Sequence, residues 1–289
     1  MVSDHRCFFC FTRAFEKLLE KENISNEAKS CFTRDMISLY QNNWDKFIAP
    51  EFARELHSIL RSYTLNPDPY KEVKKENNDQ ALSMFTELEE MIRQSKDPFG
   101  TALRLAIAGN IIDFAANDNF NLQATIDRAI NTVFAIDHSD RLKNALEKAE
   151  TVLYLGDNAG EIVFDKLFIQ TINHSDLTYV VRGAPVINDA TMEDAEYIGM
   201  KEIANVISNG YDAPSTVPDK SNKQFQQYFG KADLIISKGQ GNLEGLMPLN
   251  DDRIFSLLMI KCDVIAELLK VKKESFVVFN SSHLKNFES

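Results

Sequence analysis

From about residue 150 onward, short β-rich apolar runs alternate with helical patterns, and that rhythm constrains the fold more than any other feature of the chain. The spacing predicts strands near 151–155, 177–182, 203–208, 233–237, 254–260 and 275–279. Between the first two lies a helical stripe of Phe164, Leu167, Phe168 and Ile172, and between the last two one of Val264, Ile265, Leu268 and Leu269. Repeated βα units predict a mostly parallel sheet covered on both faces. With helical crossovers, the loops that follow the strands emerge at one end of the sheet, where open α/β folds bind ligands.

The loop after the first strand carries the strongest chemical signal. Val152–Leu155 is a buried-strand run that breaks at Gly156, and Asp157 and Asn158 follow before Ala159–Gly160 permits a close turn. Helical spacing resumes from Glu161 through Ile162, Phe164 and Leu167. A strand ending in Asp–Asn places hard oxygen donors at the carboxyl edge, which suits magnesium, manganese or calcium. The same residues also suit a plain Asx turn capping the next helix.

Further loops favour the metal reading. Thr178–Val181 runs into a loop holding Arg182, Asn188 and Asp189; Val206–Ile207 runs into Ser208–Asp212; Leu234–Ile236 runs into Lys238–Gly239–Gln240–Gly241–Asn242. Asp157, Asn158, Asp189, Arg182 and Lys238 can therefore converge although they lie as much as about eighty residues apart. Carboxylate and amide oxygens suit a cation, and Arg and Lys suit a phosphate, so such a pocket would clamp a phosphoryl group. The polar, proline-containing stretch from Asp212 to Asn222 reads as a mobile lid.

The chain before this point reads as helical, dividing the protein into a helical part (1–148) and an α/β part (149–289). Phe11, Phe15, Leu18 and Leu19 share one helical face, Phe52, Leu56, Ile59 and Leu60 another, and a helix is expected over Asp79–Gln94. In the helical segment Arg104–Phe114, Asn110 and Asp113 are three apart and so share a face. That face either packs as core or looks into the metal pocket.

A net charge of −11 over 289 residues argues against nonspecific nucleic-acid binding, which needs basic surface. No apolar run approaches the roughly 20 residues of a membrane span, and the N-terminus lacks a secretory h-region. A cytoplasmic protein is expected. Four cysteines in this length are no disulfide framework, and the lone Cys7-x-x-Cys10 lacks the further ligands of a structural zinc site. A pair of buried apolar cysteines near a helix start is expected there, with a metal or redox role as the rival.

Taken together, Cys7–Cys10, Asp68–Tyr70, Ala108–Phe114, Gly156–Glu161, Arg182–Thr191 and Lys238–Asn242 resemble the damage-control phosphatase family, long catalogued as a domain of unknown function. The Cys-x-x-Cys and Gln240–Gly241–Asn242 look like its prokaryotic branch. The resemblance implies a three-layer α/β/α sandwich with an added helical part, and a metal-dependent phosphatase acting on small phosphorylated metabolites such as sugar phosphates. It places a divalent ion (manganese, magnesium, cobalt or nickel) on Asp157, Asn158 and Asp189. Lys238 maps onto a phosphate contact that works in catalysis with Asp157. Arg182, Asn110, Asp113, Asn188, Gly239 and Gly241 complete the candidate substrate contacts. Water attack is favoured over a covalent aspartyl-phosphate, because the Asp-x-Asp-x-Thr signature is missing. No histidine lies in these loops, so no Ser–His–Asp arrangement is indicated. Two rivals are an S-adenosylmethionine-dependent carboxyl methyltransferase, disfavoured by the missing G-x-G-x-x-G, and a non-catalytic metal- or phosphate-binding protein.

Overall fold

The computed structural model describes residues 4–109 and 122–282. Helices come first, as the apolar stripes predict: α1 (His5–Lys21), α2 (Asn26–Asn43), α3 (Ala49–Thr64), α4 (Lys71–Ser83), α5 (Phe85–Gln94), α6 (Pro98–Ala108) and α7 (Leu122–Ile130). The single helix expected over Asp79–Gln94 is instead two, broken at Met84, whose N–H turns back to the carbonyls of Ala81 and Leu82. Pro98 opens α6, and the Asp97 side chain caps it by accepting from the Gly100 N–H.

Strands β1 (Ile136–Asp137), β2 (Val152–Leu155), β3 (Leu177–Val181), β4 (Asn205–Ser208), β5 (Leu234–Lys238), β6 (Ile254–Met259) and β7 (Phe276–Asn280) form one sheet in the order β1-β7-β6-β5-β2-β3-β4. Every neighbouring pair is parallel except β6 and β7. The short β1 lies in the stretch read as wholly helical, and two residues are too few to show strand alternation. The intervening helices are α8 (Ser139–Leu146), α9 (Glu161–Ile172), α10 (Met192–Tyr197), α11 (Lys223–Lys231), α12 (Gly239–Leu246) and α13 (Asp263–Leu269).

Strand alternation sorts the core into layers. Val152 and Tyr154 face one side, packing with Phe164 and Phe168 of α9 and Leu105 of α6. Leu153 and Leu155 face the other, with Phe225 and Phe229 of α11. Helices thus cover both faces, the three-layer α/β/α arrangement. A separate aromatic cluster holds α1–α3 together through Phe15, Phe32, Tyr40 and Phe52. Beyond β2 the chain moves one way to β3 and β4, while β5 and β6 lie on its other side. The switch point between β2 and β5 is where such sheets open a crevice.

The stretch expected to be a mobile lid is built differently. Ala213, Ser215 and Thr216 are fully buried, the Ser215 hydroxyl donates to the Gly241 carbonyl at 2.7 Å, and Asp212 pairs with Arg54 and Arg61. This segment is a wedge packed against the β5 end, because its polar residues find partners inside the protein rather than in water.

Candidate active site

At the end of β2 the chain passes through Asp157 and Asn158 and enters α9. The loop after β3 returns alongside it. The Ala190 N–H donates to the Asp157 carbonyl and the Ala159 N–H to the Asn188 carbonyl, both at 2.8 Å. Asn158 and Asp189 are paired as an isolated antiparallel bridge. Two loops some thirty residues apart in sequence therefore present Asp157, Asn158 and Asp189 together.

Arg182, at the end of β3, holds the two carboxylates. Its Nε donates to Asp189 at 2.5 Å and its Nη2 to Asp157 at 3.3 Å, while Nη1 donates to Asn242 Oδ1 at 2.9 Å and the Thr216 hydroxyl at 3.1 Å. Asn242 is fully buried and also donates to the carbonyls of Gly156 and Lys238, tying the ends of β2 and β5. Thr216 did not stand out in the sequence, and Asn242 was read as part of a motif without a role of its own. The Gln-Gly-Asn run was the one signal that pointed to Asn242. Gly239, with φ +77, opens α12 against this cluster; a Cβ there would lie 2.0 Å from an Asp157 carboxylate oxygen.

The amide nitrogen of Asn158 donates to Asp157 at 2.8 Å and to Glu161 at 3.0 Å, which turns its amide oxygen the other way. Glu161 in turn accepts from Lys238 Nζ at 2.8 Å. Lys238 is fully buried, and its ammonium also bonds the Ala106 carbonyl at 2.8 Å and the Asp165 carboxylate. Burial by itself would lower its pKa, but Asp165 and Glu161 outweigh that and raise it. Tyr154 and Tyr179 complete the shell of Asp165, at 2.8 and 2.9 Å. The structure thus aims Lys238 into the protein beneath the loop.

A cavity of about 500 Å³ opens over the loops, lined by Asp157, Asn158, Asn188, Asp189 and Gly241. Lysine 261, just beyond β6, lines it as well and is exposed. Burial pushes Asp157 up to about 7, reinforced by Asp189 and Glu161, and Arg182 and then Lys261 pull it back. Asp189 is likewise raised by burial against the pull of Arg182 and Lys261. Lys261 therefore acts on both aspartates from the cavity side. Nothing in its sequence surroundings marked it, beyond its place after a strand. Asn110 and Asp113 lie outside the described residues.

The far wall of the cavity belongs to α1, α12 and the start of α13. Cys7 and Cys10 of α1 line it, both as free thiols. The expectation of a buried pair fails at Cys10, which is exposed, because α1 roofs the cavity instead of entering a core. Burial pushes the half-buried Cys7 thiol up to about 11, reinforced by Glu244. Burial also pushes the Glu244 carboxyl up to about 7.

The donor set suits a hard divalent ion. No group of three or more His, Cys, Asp or Glu suited to a metal occurs among the described residues, so a cation here would rest on two carboxylates and one amide. The buried cluster sets the carboxylates of Asp157, Glu161, Asp165 and Asp189 against the cations of Arg182 and Lys238. That surplus of negative charge, with the raised Asp157 pKa, is what a divalent cation would balance.

Comparison with known proteins identifies the family. The family model of the Damage-control phosphatase ARMT1-like domain matches residues 3–277. The chain is 31% identical over 285 residues to Damage-control phosphatase PH1575 of Pyrococcus horikoshii, covering 96% of this chain and 97% of that one. It is 32% identical over 243 residues to a Damage-control phosphatase of Archaeoglobus fulgidus, covering 82% and 84%. The crystal structure of the P. horikoshii DUF89 family protein superposes with a TM-score of 0.89 at 30% identity, covering 98% of this chain and all of that one. The chain belongs to the damage-control phosphatase family, with the ARMT1-like domain spanning nearly its whole length.

Proposed function

We propose that this phosphatase hydrolyses small phosphorylated metabolites with a divalent cation held by Asp157, Asn158 and Asp189. The observation that carries the reading is the meeting of these three side chains at the β2/β5 switch point, on the floor of a cavity whose wall carries Lys261. When bound, the cation would supply charge to polarise a phosphoryl oxygen and make water a better nucleophile. The chain's own residues do the rest. Arg182 keeps the two carboxylates at a fixed separation, and Asn158 is oriented by its bonds to Asp157 and Glu161. Lys261 faces the non-bridging oxygens of the phosphoryl group, a role assigned here to it because Lys238 is committed to Glu161 and Asp165. Lys238 acts on the site through Glu161 and is a positioning residue.

A cavity of about 500 Å³ has room for a compact phosphoester. Manganese, magnesium, cobalt and nickel all suit oxygen donors, so availability decides the occupant. No helix among the described residues is long and apolar enough to cross a membrane, and a net charge of −11 disfavours nucleic acid as a partner; a cytoplasmic location is part of the proposal. Turnover of p-nitrophenyl phosphate by the metal-stripped protein tests the reading. Hydrolysis should be absent in chelator and return with manganese, and full turnover in excess chelator would refute it.

A further inference from the structure

Helix α4 reaches both of the loops that carry the proposed metal ligands. Asn78, 1% exposed, accepts from the Gly160 N–H through its side-chain oxygen at 2.7 Å. Gly160 follows Asp157 by three residues and holds φ at +78, a conformation that aims this N–H out of the turn. The Asn78 amide nitrogen donates to Asp194 at 3.0 Å. The other Asp194 oxygen accepts from the Thr191 N–H at 2.9 Å and the Thr191 hydroxyl at 2.8 Å, two residues after Asp189. Lys74, 4% exposed, stands 3.4 Å from that oxygen and 2.9 Å from Asp68 of the Asp-Pro-Tyr turn.

We propose that Asn78, Asp194 and Lys74 form a clasp that sets the spacing of the two ligand loops and thereby the affinity for the divalent cation. The inference rests on the cation site proposed above. Asp157 and Asp189 repel each other, and Arg182 and the short backbone pairing join them. The clasp grips both loops just past their proposed ligands, at Gly160 and Thr191. A buried lysine among aspartates is a poor way to gain stability compared with apolar packing, whereas outer-shell partners that orient ligands commonly govern metal affinity. The clasp also accounts for the Asp68–Tyr70 motif, whose aspartate anchors Lys74 where it meets Asp194.

The test is a manganese titration of the metal-stripped full chain by calorimetry, with urea unfolding run in parallel. Asn78→Ala should raise the manganese Kd at least about tenfold, while kcat at saturating manganese stays within about threefold of wild type because the ligands themselves remain. Thr191→Val, which loses only the hydroxyl, should raise Kd by about threefold, and Thr191→Ser should restore it. Asn77→Ala is the control: Asn77 is buried on the same helix, its side-chain oxygen makes no hydrogen bond among the described residues, and its loss should leave Kd unchanged. A folded Asn78→Ala protein with the wild-type Kd would overturn the proposal. Should that variant fail to fold, an unchanged Kd in Thr191→Val overturns it equally. A wild-type chain that binds no manganese refutes the cation site itself, a result distinct from loss of affinity on breaking the clasp.

Discussion

The roof of the cavity and its floor are both buried, but they bury opposite things. The roof, α1–α3, is an aromatic stack: Tyr40 lies on Phe52 with ring centres 4.2 Å apart, and Phe15 packs on Phe32 at 5.5 Å and on His57 at 4.9 Å. The floor is an ion cluster in which every member holds another, from Lys238 through Glu161 and Asn158 to Asp157, Arg182 and Asp189. Apolar packing loses stability in increments set by the volume removed. An ion cluster behaves differently, since losing one partner strands a buried charge.

The largest effect should therefore come from Lys238. Lys238→Met leaves Glu161 and Asp165 without their cation and should lower stability by about 3–5 kcal/mol, read as the midpoint of urea unfolding. Phe32→Leu in the roof should lose only about 1 kcal/mol. The contrast between floor and roof breaks if the two substitutions prove equal, or if Lys238→Met unfolds like wild type.

Next come the proposed metal ligands. Asp157→Ala and Asp189→Ala should each reduce kcat/KM at least about a hundredfold, near 3 kcal/mol of transition-state stabilisation. Stability of the metal-free chain should hold or rise in Asp157→Ala, because that carboxylate sits in a surplus of negative charge. Wild-type turnover in either variant would misplace the site.

The roof has its own pH signature. Burial, with the nearby Arg61 charge, pushes His57 down to about 4 from an ordinary 6.5. The unfolded chain then takes up the proton first, so this group's contribution is fully present above pH 6.5 and is lost as pH falls towards 4. The loss amounts to about 3 kcal/mol. His57→Phe should flatten the fall in stability between pH 6.5 and 4 relative to wild type, and parallel curves would show that the roof does not hold a neutral imidazole.

The smallest effect sharpens the comparison of the two lysines. Lys261→Ala should leave urea stability and manganese affinity nearly unchanged, while kcat/KM falls about thirtyfold, roughly 2 kcal/mol. If kinetics are untouched, the phosphate-facing cation lies elsewhere on the cavity wall, and Arg13 or Lys273, which also line it, become the next substitutions to measure.

Much of this was legible in the chain. Apolar runs ending in Asp–Asn, in Arg–Gly and in Lys–Gly announced strands whose loops meet at one edge, because parallel pairing leaves no other place for them. The βα rhythm carried the three layers in the same way. Asp157, Asn158 and Asp189 could be brought together on that ground alone. The antiparallel β7, the two-residue β1 and the break at Met84 left no comparable trace, since each depends on a neighbour supplied from elsewhere in the fold.

The direction of a single lysine shows the boundary between the two kinds of information. The sequence determined that Lys238 ends a strand at the ligand-binding edge and that a glycine after it lets the chain approach Asp157. Whether its ammonium faced the cavity or the interior was decided by Glu161 and Asp165 on α9 and by the Ala106 carbonyl on α6, which packing alone brings within reach. Lys261, which follows β6, has no carboxylate ion pair among the described residues and lines the cavity. A charge goes where its counter-charges are, and that is a property of the assembled structure.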